Sequence, residues 1–150
     1  MRIRRAIGAA ATVTAVTAGV LAGFAAPSQA AIPKECATYT QGGWNGDVCV
    51  SYIGLGNSLF RTNANVTAFP ANCATIRVDL LNAYGVLSRT GVAVPCQTGA
   101  IKGAHNCAGA ECITPRERAV ARINAYDSAG NLILTVQTAV LASPFAPEVP

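Results

Sequence analysis

Residues 77–87 read RVDLLNAYGVL, and residues 122–132 read RINAYDSAGNL. The two stretches align at an offset of 45 positions. Arg77 matches Arg122, Val78 matches Ile123 and Asp79 matches Asn124; further on, Asn82 matches Asp127, Gly85 matches Gly130 and Leu87 matches Leu132. Asn-x-x-Gly and Asp-x-x-Gly are turn sequences. The Asx side chain caps nearby backbone N–H groups, and glycine takes a position of positive φ without steric cost. Ahead of each turn, apolar and polar residues alternate: Ile76, Val78 and Leu80 with Arg77 and Asp79, then Ala121, Ile123 and Ala125 with Arg122 and Asn124. A period of two places one set on a buried face and the other on a wet face. Both stretches therefore predict β-hairpins, whether they arose by duplication or merely share turn chemistry. Two copies are too few for a solenoid, which needs at least about three.

The rest of the chain follows the same grammar. Short runs of Val, Ile, Leu and Ala are interrupted by Gly, Asn, Asp and Pro, and no long amphipathic helical pattern stands out. Further strands are expected near 37–41, 47–53, 58–68, 86–94 and 131–140. Thr114-Pro115-Arg116-Glu117 has the pattern of a helix-capping box. The echo places strand from Ala121 onward, so a turn or single helical turn at 115–118 is expected there. About seven short strands between turn residues predict an all-β fold, a small antiparallel β-sandwich of immunoglobulin-like architecture.

The N-terminus carries Arg2, Arg4 and Arg5, an apolar run from about Ala6 to Phe24, and the small-residue site Ser28-Gln29-Ala30. This is the pattern of a secretory signal cleaved after Ala30. The run is long enough to span a bilayer, but it is rich in Ala, Gly and Thr and closes on a cleavage site, which favours removal over anchoring. The expected organisation is a signal peptide over 1–30, a stapled domain over 31–142 and an irregular Pro-rich tail over 143–150. The composition points to a bacterial source and the leader to a secreted protein, released outside the cell or held at its envelope.

Charge narrows the partners. The whole chain has 11 basic and 7 acidic residues, a net of +4. Three of the bases and none of the acids lie in 1–30, which leaves eight bases against seven acids and a net of +1. The remaining bases are scattered singly along the sequence, apart from Arg116-Glu117-Arg118, which encloses an acid. A nucleic-acid binder needs a clustered basic footprint. Neither nucleic acid nor, after signal cleavage, a membrane is therefore expected as partner. A protein or a glycan at or beyond the cell surface is.

The six cysteines, Cys36, Cys49, Cys73, Cys96, Cys107 and Cys112, all follow residue 30. An even number in an oxidising compartment predicts three disulfides. Gly42-Gly43 is a turn signal with Cys36 and Cys49 placed symmetrically about it, so these two should face each other across a hairpin. Cys73 and Cys96 flank the 77–87 hairpin and would close its open end. Cys107 and Cys112 remain, in the stretch HNCAGAEC with His105. A zinc site from Cys96, His105, Cys107 and Cys112 matches no common module spacing. A redox pair would more often be Cys-x-x-Cys. No cofactor or metal is expected.

Four residues stand out as binding candidates: Trp44, Tyr84, Lys102 and His105. Trp44, in QGGWNGD, is expected on a turn, either stacking on a ligand or folding back over the sandwich end. Tyr84 should sit at a hairpin tip. Lys102 and His105 fall in 97–115, the longest segment without evident structure, and such loops often carry function. Asn65-Val66-Thr67 is a glycosylation sequon.

A non-enzymatic binding module is the favoured reading. A protease inhibitor presenting the stapled 97–115 loop, with Lys102 or Arg116 in a specificity pocket, is the first alternative. A small hydrolase is the second, with His105 as base, Glu111 or Asp127 as orienter and Ser128 or Thr114 as nucleophile; no nucleophile motif supports it. The three-staple reading has a direct check: the denatured, unreduced protein should show no free thiol, and six after reduction.

Overall fold

The computed structural model describes residues 32–55, 58–105 and 118–144, apart from the side chains of 55, 58 and 59. Among the described residues the structure is all-β, without helix, and consists of two antiparallel sheets. The first sheet contains β1 (Lys34–Gln41), β2 (Trp44–Leu55), β3 (Ser58–Ala68) and β7 (Gly99–His105), in the order β1-β2-β3-β7. The second contains β4 (Thr75–Asn82), β5 (Leu87–Arg89), β6 (Val94–Pro95), β8 (Arg118–Tyr126), β9 (Leu132–Gln137) and β10 (Leu141–Ala142). Here β4 pairs β8 at the centre, β5 and β6 pair the free side of β4, and β9 and β10 pair the free side of β8.

Turn chemistry sets the hairpins. Gln41 pairs Trp44 across a two-residue loop in which Gly42 and Gly43 both have positive φ, 55° and 82°. Two consecutive left-handed residues make the type I′ turn that matches strand twist, and glycine adopts both positions without strain. The register that follows sets Cys36 opposite Cys49, and they are bonded, with Cα atoms 4.1 Å apart. Cys73 and Cys96 are bonded as well, beside the start of β4. These are the two pairings the hairpins imply; Cys107 and Cys112 lie outside the described residues.

The echoed hairpins share one turn, bond for bond. Asn82 Oδ1 accepts from the N–H groups of Tyr84 and Val86, and Gly85 N–H donates to the Asn82 carbonyl. Asp127 Oδ1 accepts from Ala129 and Asn131, and Gly130 N–H donates to the Asp127 carbonyl. Both loops are three residues long and close on a left-handed glycine, the geometry of a type I turn with a bulge. In the second copy the Asn131 side-chain amide, followed by backbone N–H donors, holds the Asp127 carboxyl below its ordinary range.

The two copies also pair with each other. Val78 lies opposite Ile123, its own echo partner, so a local two-fold relation passes between them. Around it Arg77 faces Asn124 and Asp79 faces Arg122. The polar face is not uniformly wet, as simple alternation predicts. Asp79 is fully buried. Its carboxylate accepts from Asn124 Nδ2 at 2.9 Å and Gly91 N at 3.0 Å, and lies 3.3 Å from Arg77 Nε and 3.5 Å from Arg122 Nη2. A buried charge needs such partners, since leaving it unpaired costs several kcal/mol. Arg77 also stacks over the Tyr126 ring, 5.2 Å from its centroid.

The same carboxylate explains a break in one expected strand. Residues 86–94 form two short pieces, β5 and β6, because the chain between them turns in to bring Gly91 N–H to Asp79. A side chain at Gly91 would collide with the Val78 backbone. Residues 131–140 split likewise: the Thr138 hydroxyl accepts from Ala121 N–H, and Thr138 N–H donates to the Ala121 carbonyl. The strand β7 was expected as loop, and it fills the edge of the first sheet. Residues 115–117, where a turn was expected, lie outside the described residues, and strand begins at Arg118.

A single core joins the two sheets. From the first come Val48, Val50, Phe60, Ala64 and Val66, and from the second Ile76, Val78, Leu80, Ile123 and Leu134, all buried. Each of these side chains other than Ala64 contributes about 1.5–3 kcal/mol by leaving water. The echo relation makes a specific prediction. Asn124→Asp should set two carboxylates in contact and lower stability by about 2–4 kcal/mol. Asp79→Asn should cost a similar amount by stranding two guanidinium groups. The exchange variant Asp79→Asn/Asn124→Asp should recover part of the loss, because each position has an arginine two residues before it and another across the ladder. Denaturation midpoints of the three variants check this.

Candidate functional site

The cations that are scattered in sequence meet on the outer face of the first sheet. Lys34 pairs Ser51, Ser51 pairs Arg61 and Arg61 pairs His105, so one row runs across all four strands. The next row holds Cys36, Cys49, Asn63 and Lys102. Directly paired residues project from the same face, and this face is turned away from the core that Val48, Val50, Ala64 and Ile101 enter. Lys34, Ser51, Arg61, Asn63, Lys102 and His105 line a groove of about 760 Å³ there.

A bulge brings Lys102 and His105 to the same face. In a regular strand Lys102 and His105, three residues apart, would point to opposite faces. Here Arg61 pairs His105 and Asn63 pairs Lys102, so Gly103 and Ala104 together oppose Thr62. The extra residue turns both side chains to one face, as bulges do. Thr62 Oγ1 donates to the Ala104 carbonyl at 2.9 Å, which holds the bulge from below. Gly103 is required there, because a Cβ would collide with the Thr62 side chain and carbonyl.

The lining of the groove is one-sided in charge. Lys34, Arg61 and Lys102 are exposed at the groove, and no acid lines it among the described residues. Glu35 points to the opposite face of β1, since it follows Lys34 directly. Asp47 shares the outer face, in the row next to Cys49, Asn63 and Lys102, but does not line the groove. Asn65 of the sequon is exposed on the same face, two residues from Asn63.

The four candidates have separate fates. Lys102 and His105 come together at the groove, on a strand rather than in a loop. Tyr84 is at the tip of the β4–β5 turn and 91% exposed. Trp44 is the first residue of β2 and only 4% exposed. It packs near Phe69, ring centroids 6.5 Å apart, and so covers the end of the core. Seven residues of β2 separate Trp44 from Ser51, about 23 Å, so Trp44 and His105 stand at opposite ends of the first sheet.

The catalytic and metal alternatives find no assembled site among the described residues. Asp127 is committed to its own turn in the second sheet, whereas His105 faces away from that sheet. Cys96, a ligand of the zinc alternative, is bonded to Cys73. Among the described residues no group of three His, Cys, Asp or Glu side chains could hold a metal ion. Lys102 is held in β7 opposite Asn63, not at a loop tip where a protease cleft could reach it. Glu111, Thr114 and Arg116 lie outside the described residues. The chain matches no protein-family model, no curated protein and no solved structure.

One buried group near the Trp44 end carries a pH signature. Tyr39 packs across Gly46, where a Cβ would strike its ring, and its hydroxyl makes no hydrogen bond. Burial, and secondarily the Asp47 carboxylate, push its pKa up to about 12. An unfolded tyrosine ionises near 10. Between these values the unfolded chain has lost a proton that the folded chain keeps, so stability is full below pH 10 and falls as pH rises toward 12. Tyr39→Phe should flatten that fall and, by removing an unpaired buried hydroxyl, leave stability at pH 7 unchanged or raised by up to about 1 kcal/mol. Denaturation midpoints across the alkaline range measure both effects.

Proposed function

We propose that the protein is a secreted, non-enzymatic binding module, built as a β-sandwich, whose ligand seat is the groove on the outer face of the first sheet. The observation that carries this reading is the bulge at Gly103-Ala104, which brings Lys102 and His105 to one face beside Arg61 and Lys34. A strand platform fixed by a cross-strand disulfide in the adjacent row is stiff, and a preformed site loses little entropy on binding. The N-terminal leader and the disulfides support export.

The test fills the groove without touching the core. Asn63 is half-exposed at the middle of the outer face, so Asn63→Trp should fold. Immobilised oxidised wild-type protein should retain material from secreted and envelope fractions that Asn63→Trp, with an unchanged melting temperature, does not. Equal retention by both proteins would remove the groove as the seat.

A further inference from the structure

We infer that the groove takes an acidic polysaccharide laid across the strands; this rests on the groove being the ligand seat. The first observation is charge. Three permanent cations, Lys34, Arg61 and Lys102, line it and, among the described residues, no acid does. An opposite charge on the ligand is what such a surface selects.

The second observation is shape. The row from Lys34 through Ser51 and Arg61 to His105 crosses three strand spacings, about 14 Å, and Lys102 flanks it in the next row. With a volume of about 760 Å³, the groove is far larger than a single oxyanion. Lys34 and Arg61 stand two strand spacings apart, about 10 Å, with Lys102 beside them in the next row, and charges at such intervals suit an extended polymer that carries acidic groups along its length. A sugar unit in an extended glycan is about as long as the gap between neighbouring strands.

The third observation is the lining. Arg61 stands in the middle of the row, and its fork of donors matches a carboxylate or sulfate. Ser51 and Asn63 beside it offer a hydroxyl and an amide, the partners that sugar hydroxyls use. Among the described lining residues none is Phe, Tyr or Trp, and His105 at the end of the row is the one ring. Single-stranded nucleic acid needs stacking platforms, and a protein partner needs aromatic or aliphatic anchors, of which the lining offers only Ile32 at its edge. Carboxylated and sulfated glycans present the same oxyanion chemistry to this row.

Titration of the full oxidised protein with polygalacturonate, a sulfated dextran, neutral dextran, polyadenylate and polyglutamate decides the ligand class. Binding is expected to one or both acidic glycans and to weaken steeply with salt, with neutral dextran inert. The uronate and sulfate arms tell the two acid types apart. Lys34→Gln/Arg61→Gln/Lys102→Gln should weaken binding at least tenfold, whereas Lys34→Arg/Lys102→Arg should keep it. Tighter binding of polyadenylate or polyglutamate, equal binding of neutral dextran, or an unaffected triple-Gln variant would overturn the inference. So would the absence of binding to both acidic glycans. If these glycans fail while retention from cell fractions still depends on Asn63, the ligand class is wrong and the seat stands. If Asn63→Trp changes nothing, the seat itself is wrong.

Discussion

The second sheet is organised around a carboxylate that no water reaches. Asp79 sits where two hairpins of the same design meet, and its four partners come from β4, β8 and the stretch between β5 and β6. Sliding β4 against β8 by one residue would move Asp79 into the apolar core and its partners away from it. The penalty for an unpaired buried charge makes that register, and no neighbouring one, stable. The core then follows, because Val78 and Ile123 are fixed on the face that meets the first sheet.

The two hairpins share a turn geometry, and one of the differences between them is informative. Their turns use the same bonds, with Asn82 in one and Asp127 in the other, since either side chain supplies the accepting oxygen. At the meeting point, the echo pairs Asp79 with Asn124 instead of a second acid. Two carboxylates in contact cannot both be ionised without a large electrostatic cost. An acid and an amide satisfy each other, and the two flanking arginines supply the countercharge. The difference at this position keeps two carboxylates from being placed in contact.

The first sheet works differently. Its core face is ordinary, and its outer face gathers charge. Three cations separated widely in sequence come from β1, β3 and β7, and the strand ladder brings them within reach of one ligand. The Cys36–Cys49 bond lies in the adjacent row, so the strand that carries Lys34 is pinned to the strand that carries Ser51. A charged face made this way depends on register more than on any loop conformation.

The sequence by itself determined what local chemistry controls. Glycine pairs and Asx-x-x-Gly spell out turns because only certain residues adopt left-handed backbone or cap their own chain. Turns set hairpin register, and register set which cysteines meet in the 36–49 and 73–96 pairs. Three things were decided only by tertiary structure. Asp79 is buried because partners from β8 and from the stretch between β5 and β6 join Arg77 of its own strand around it. Trp44 is buried because Phe69 and the core receive it, although its neighbours in sequence are those of an exposed turn. The strand β7 was hidden because its bulge breaks the period of two and its glycine and alanine residues carry little strand preference. That same bulge brings Lys102 and His105 to the same face. Alternation reports the face of a residue only while the ladder is regular, and at Gly103-Ala104 the ladder is not.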